Sequence, residues 1–298
     1  MNSASLPARR TGGVVPYLLH LRPAEWPIIT VHLLVGWWLA AGPHWPVGRG
    51  WLGVAAWVVC LNGGTLAINS AFDRDEGDIA FLANPPVAPR YLAQFAFTLM
   101  VLGLLITMTL PVTYRLLYAI CVLMSLLYSV PPVRLKSVPG MDWLINMIGF
   151  GTLTAWAGWA LTGRPLHGAG AAVLWGFTPL FAALYPLTQL YQMDEDRARG
   201  DRTLALRLGV RRSLAIAVFC AGLAFGMFTM AAWQAGWTWH DVTRWGALLI
   251  AALAWTVVLV PWYGQGRNWS SHQHQRAMYH ALIAWALTDV AVLLGWGW

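Results

Sequence analysis

Apolar and polar stretches alternate along this chain on the length scale of a lipid bilayer. Nine largely apolar runs fall near 26–42, 51–72, 91–111, 114–130, 141–162, 171–193, 214–237, 244–263 and 277–298, separated by short polar connections. A helix needs about 20 apolar residues to cross the hydrocarbon core. The pattern therefore predicts an all-α polytopic membrane protein with nine transmembrane helices. The least sharply bounded runs are the first, which is short, and the fourth, which opens around Arg115. No stretch reads as a soluble domain, linker or low-complexity tail, so residues 1–298 are expected to form one membrane-embedded domain.

Composition agrees: 58% of the residues are hydrophobic, only 10% are charged, and there are 20 Trp. The connections also differ in charge. Fifteen Lys/Arg lie at the N-terminus and after runs two, four, six and eight, against four (Arg49, Arg115, Arg164 and Arg244) on the other side. By the positive-inside rule the first group faces the cytoplasm, which places the N-terminus inside and the C-terminus outside, with a bacterial inner (plasma) membrane as the expected location. Trp45, Trp51, Trp233, Trp237, Trp239, Trp245, Trp296 and Trp298 fall at the outer ends, where aromatic belts form. The net charge of +7 then reads as orientation charge beside anionic lipid, and nucleic acid is not an expected partner. Cys60, Cys121 and Cys220 are isolated within apolar runs and read as small packing residues. Arg9-Arg10 is followed by no cleavage-type region before the first run, so a twin-arginine signal is not expected.

Eight of the twelve acidic residues gather in two clusters on the cytoplasmic side. The first is Asn69-Ser-Ala-Phe-Asp73-Arg-Asp75-Glu76-Gly-Asp78, and the second is Gln192-Met-Asp194-Glu195-Asp196, with Asp201 beyond it. Asn69 and Asp73 are four apart and share a helix face at the end of run two, as do Gln192 and Asp196 at the end of run six. Gly77 is expected to end the first of these helices. Crowded carboxylates beside a bilayer call for a counter-cation. Mg²⁺ suits them, because it takes oxygen ligands and is commonly held by one or two carboxylates together with substrate phosphates. A third segment, Tyr128-Ser-Val-Pro-Pro-Val-Arg134-Leu-Lys136, ends run four at its proline pair and projects two cations on the same side. Those cations suit a phosphate leaving group, or serve simply as the ordinary basic residues of a cytoplasmic loop.

Together the three segments resemble the UbiA superfamily of intramembrane prenyltransferases. The family pattern Asn-Asp-x-x-Asp-x-x-x-Asp is similar to Asn69, Ser70, Asp73 and Gly77, with Asp78 one residue late. Its Asp-x-Glu-x-Asp pattern, followed by Arg, Gly and Arg-Thr-Leu, is similar to Gln192, Asp194 and Asp196 followed by Arg197, Gly200 and Arg202-Thr203-Leu204. Tyr128 through Lys136 resembles the loop after the fourth helix, and Arg22-Pro23 the start of the fold. Ser70, Gly77 and Gln192 stand where the family carries acids, so metal number and even the reaction are open to change.

The resemblance implies a cytoplasmic-side site for a prenyl diphosphate. Asn69, Asp73, Asp78, Asp194 and Asp196 would hold Mg²⁺. Asn69, Tyr128, Arg134, Lys136 and Gln192 would bind the diphosphate, and Asp73, Asp196 and Lys136 would be the catalytic groups. It implies transfer of the isoprenoid to a small, aromatic acceptor, with the tail leaving toward membrane lipid. A terpene cyclase on the same fold and a divalent-cation transporter are the alternatives; the first would need no acceptor, and the second would line a mid-membrane path with acids.

Four weaker features complete the reading. Asp289 lies inside run nine, where a carboxylate is a functional candidate by default. His272, His274 and His280 read as a polar turn rather than a metal site. Glu25 pairs locally with Arg22. The proline-rich stretch 84–90 is either a lid over the headgroup site or a plain connection.

Overall fold

The computed structural model describes residues 13–73, 79, 81–200 and 203–297. Among them the protein is all helix: α1 Val15–His20, α2 Trp26–Ala41, α3 Arg49–Asp73, α4 Leu92–Thr107, α5 Val112–Ser129, α6 141–160, α7 Gly168–Leu190, α8 Met193–Arg199, α9 Leu204–Gln234, α10 Val242–Gln265 and α11 Ser271–Trp296. Each of the nine apolar runs coincides with a helix. Seven helical stretches of the described residues are long and apolar enough to cross a membrane, and α4 is a shorter apolar helix. In α6, Asp142 and Asn146 dilute the apolar character. The protein is a polytopic α-helical membrane protein.

Two expected boundaries move. Gln192 and Asp196 were expected at the end of the sixth run, but α7 stops at Leu190 and both residues belong to the separate short helix α8. The chain turns at Tyr191–Gln192, and Gly200, at φ 76°, ends α8 in the left-handed conformation that glycine adopts without a Cβ penalty. The helix carrying run seven starts ten residues early, at Leu204, but is interrupted at Gly209, where φ is 72° and ψ 169°.

Close approach and side-chain keys fix the helices. A Cβ on Gly36 would lie 1.6 Å from the Ala155 carbonyl oxygen, and one on Gly158 would lie 1.7 Å from that of Leu33, so α2 and α6 touch backbone to backbone. Small residues are the usual means of such contact in membranes. Inside α7, Pro186 has no N–H to give the Ala182 carbonyl four residues back. The Trp143 indole of α6 donates to that carbonyl instead, at 2.9 Å.

One core gathers α7, α9, α10 and α11 around Phe177, Phe228, Trp255 and Trp262, and a second gathers α2, α3, α5 and α6 around Leu33, Trp57, Tyr114 and Tyr118. Tryptophans at the end remote from the acidic motifs form ring clusters, Trp38–Trp45–Trp51 and Trp237–Trp245–Trp296. Trp237 is buried in its cluster rather than facing outward.

Asp289 sits deep between the two cores. It is 2.9 Å from His32 Nδ1, while His32 Nε2 donates to the Gly151 carbonyl at 2.8 Å. The pair ties α11, α2 and α6 together, which explains a carboxylate at that depth. The expected polar turn of histidines is instead helical: all three residues lie in α11, and His274 is buried with its Nδ1 accepting from the Trp262 indole at 2.9 Å. The 84–90 stretch packs over α1, with His20 Nε2 3.1 Å from the Pro86 carbonyl.

Candidate active site

A cavity of about 320 Å³ opens between the two helical groups. Its polar wall carries Asn69, Asp73, Tyr128, Lys136, Gln192 and Asp196, six of the positions expected from sequence. Its apolar wall includes Ile29, Phe150, Phe181, Met278, Leu282 and Trp285.

On the first side, Asn69 and Asp73 project from the last turns of α3. α5 ends at Ser129 because a residue before proline is pushed out of the helical region, and Val130 is extended. The loop then crosses to α3. Lys136 Nζ donates to Asn69 Oδ1 at 3.0 Å and to the Asp73 carboxylate, and Arg134 Nη2 reaches the same Asp73 oxygen at 3.2 Å. Ser129 Oγ adds a donor to Asn69 Oδ1 at 3.5 Å. The amide and carboxylate oxygens therefore converge on one cationic point, as an oxygen-ligated ion also requires.

On the second side, Asp196 is buried on α8 and accepts from Thr203 Oγ1 at 3.5 Å. Gln192, one turn earlier, faces the same cavity. Asp194 behaves differently: its side chain is 82% exposed and pairs with Arg197 at 2.9 Å, three residues along the same helix. The expectation that it joins the metal set is not met by this geometry, because a two-residue offset on a helix turns it about 200° away from Asp196. Asp78 lies outside the described residues. Among the described residues no three His, Cys, Asp or Glu side chains cluster closely enough to hold a metal alone. The donor set of two carboxylates and two side-chain amides on facing walls fits Mg²⁺ carried with a phosphate ligand, and not a self-sufficient metal cage.

Sequence reasoning passed over several residues that build the site. Asp142, which belongs to neither acidic cluster, is fully buried. Its Oδ1 accepts from Gly140 N at 2.8 Å, and its Oδ2 accepts from Gln189 Nε2 at 2.8 Å and Leu204 N at 3.2 Å. Gln189 Oε1 accepts from Ala205 N at 3.2 Å, and its Nε2 also meets the Tyr185 hydroxyl, which lies 2.9 Å from Tyr128. This network locks the cationic loop, α7 and the start of α9 into one frame. Arg22, expected to pair with Glu25, is buried in a left-handed turn, and its guanidinium also reaches Ser70 Oγ at 3.4 Å. Both Arg22 and Glu25 line the cavity. The only sequence clue was the likeness of Arg22-Pro23 to the family start.

The chain belongs to the UbiA prenyltransferase family, whose model matches residues 29–289. It is 33% identical over 97 residues to a lycopene elongase/hydratase from Halobacterium salinarum, a match covering 32% of each chain. It is 29% identical over 209 residues to a probable homogentisate phytyltransferase 2, chloroplastic, from Oryza sativa subsp. japonica, covering 66% of this chain and 52% of that one. The matches thus span about a third and about half the length of these relatives. A UbiA homolog from Archaeoglobus fulgidus, in a structure bound to GPP and Mg²⁺, superposes with a TM-score of 0.72 at 19% identity, covering 91% of this chain and 99% of that one. At that identity the likeness establishes the fold.

Proposed function

We propose that the protein is a Mg²⁺-dependent intramembrane prenyltransferase. It would move an isoprenoid chain from a prenyl diphosphate to a small, aromatic acceptor and release diphosphate. The observation that carries this reading is the single cavity in which Asn69, Asp73 and Lys136 face Gln192 and Asp196 above an apolar, aromatic-lined interior. Family membership supports the reaction, and the A. fulgidus homolog bound to GPP and Mg²⁺ on the same fold supports donor and metal.

In this mechanism Asn69 and Asp73 on one wall and Asp196 on the other would hold the metal, with Gln192 contributing an amide. Mg²⁺, when bound, neutralises charge on the departing diphosphate. Lys136 and Arg134, which rest on Asp73, turn toward phosphate oxygens when the headgroup arrives. Their contribution raises the rate only as far as it tightens while the allylic C–O bond breaks. Tyr128, held by Tyr185, offers a further hydroxyl at the headgroup. The allylic cation then lies against Phe150, Phe181 and Trp285, whose ring faces stabilise positive charge by up to ~2 kcal/mol each when desolvated. The acceptor attacks and loses a proton, and the tail lies along the apolar wall toward lipid.

We also take residues 1–298 as one catalytic domain crossing the membrane nine times. The fifteen-to-four bias of Lys/Arg supports a cytoplasmic N-terminus and site and an outside C-terminus. A bacterial plasma membrane is the location this reading adopts. The test is diphosphate release by the purified protein across allylic diphosphates of several lengths, with Mg²⁺ or EDTA and with or without aromatic acceptors. Release that requires Mg²⁺ and an acceptor supports transfer. Release without an acceptor would move the reading to a cyclase, and silence throughout would overturn both.

A further inference from the structure

Two turns into the membrane from Asn69, the same face of α3 carries another amide. Asn62, Thr65, Asn69 and Asp73 follow one another at helical spacing, and all four line the cavity. Asn62 lies in a widened, π-helical stretch, Ala56–Gly63, of the kind that re-aims side chains at functional sites. The residue is 4% exposed, and neither its side-chain Nδ2 nor its Oδ1 has a hydrogen-bond partner. The hydroxyl of Ser125 on α5 is likewise buried, unpartnered and on the cavity wall.

The levels of these two groups can be read from neighbouring contacts. α3 and α5 run side by side, with Ser129 against Asn69 at one end and Tyr118 against Trp57 at the other. Ser125 therefore lies between the levels of Asn62 and Asn69. A buried amide left without partners costs about 1–3 kcal/mol, and natural cores rarely keep two such orphans facing one cavity without a ligand or water to meet them.

Resting on the prenyltransferase reading, we propose that Asn62 and Ser125 form the subsite for the polar group of the second substrate, and that this group is an uncharged hydroxyl or carbonyl. An amide offers both donor and acceptor, as a neutral hydroxyl or carbonyl needs. An anionic group at this depth would need a cation. The cavity cations among the described residues lie near the opposite end: Lys136 on Asn69 and Asp73, and Arg22 on Ser70. His32, the cavity histidine at depth, spends both ring nitrogens on Asp289 and the Gly151 carbonyl. The indole of Trp57, on the same wall, gives a flat apolar surface for the acceptor's body. Until the acceptor arrives, a water can bridge the orphan groups at little cost.

The test uses the purified full chain in detergent with GPP and Mg²⁺, and measures equilibrium binding of 1-naphthol, 1-naphthoate and naphthalene. The ratio of 1-naphthol to naphthalene affinity isolates the hydroxyl from general apolar partitioning. The parent should show a ratio of about ten, the worth of one or two buried hydrogen bonds, with 1-naphthoate bound no better than naphthalene. Asn62→Leu should bring the ratio close to one and leave GPP affinity within twofold, which also reports an intact fold. Ser125→Ala, which removes one small unpartnered hydroxyl, should lower the ratio about threefold. A parent ratio near one, tighter binding of 1-naphthoate, or a ratio unchanged in both variants would overturn the subsite. Loss of GPP binding in the parent would instead overturn the reading of the headgroup site.

Discussion

The two acidic walls look alike in sequence and differ in construction. On the first, the Asp73 side chain is 10% exposed and held by two cations from a separate loop, and Asn69 shares one of them. On the second, Asp196 is buried against Thr203 while Asp194, two residues earlier, stands in solvent with a cation from its own helix. The first wall is assembled by long-range contacts. The second is a short helix with one working face. The difference shows that acid density is a poor guide to which acid reaches the cavity: Asp73 and Asp196 line it, while Asp194 is exposed beside Arg197. Gln192 lines the same cavity with an amide in place of a charge.

The largest effect should come from the assembled wall. Asp73→Asn should lower Mg²⁺-dependent prenyl transfer about a thousandfold, with the protein still folded and membrane-inserted by circular dichroism and detergent gel filtration. Activity near that of the parent would place the metal elsewhere. Asp196→Asn should cost about a hundredfold in the same assay. An effect under threefold would make the second wall a bystander and undo the comparison.

Asp142→Asn probes the frame behind both walls. It turns one carboxylate oxygen, which accepts from backbone or from Gln189, into a donor facing donors. The expected loss is about 3 kcal/mol of stability, seen as a lower unfolding temperature, with activity falling through misplacement of Lys136. Unchanged stability would mean that the network does not fix the loops. The smallest effect belongs to Asp194→Asn, which should alter kcat/KM less than threefold, since exposed ion pairs contribute about 0–1 kcal/mol. A hundredfold loss would return Asp194 to the metal set.

The helices were legible because a bilayer demands long apolar runs, and every run became a helix. The order of the three motifs likewise placed Asn69, Asp73, Lys136, Gln192 and Asp196 on one cavity. What escaped reading depended on contacts between distant segments. Asp142 resembles any isolated acid until Gly140, Gln189 and Leu204 are brought around it, from segments up to 62 residues away. Asp289 acquires its meaning only from His32, 257 residues earlier. Asn62 did carry a local signal, its seven-residue offset from Asn69 on one helix face, but its lack of partners is visible only in three dimensions. Nothing in Leu190-Tyr191-Gln192 breaks a helix by composition, so the separate helix α8 is not legible there; the chain turns at that point and α8 packs against α9.

The central claim is that a diphosphate is held between the two walls by metal. Calorimetric titration of GPP into the purified protein, with Mg²⁺ and then with EDTA, tests it most directly when repeated on Asp73→Asn and Asp196→Asn. The account predicts binding that requires Mg²⁺ in the parent and weakens at least tenfold in each variant. Equal affinity with EDTA, or in both variants, would contradict it.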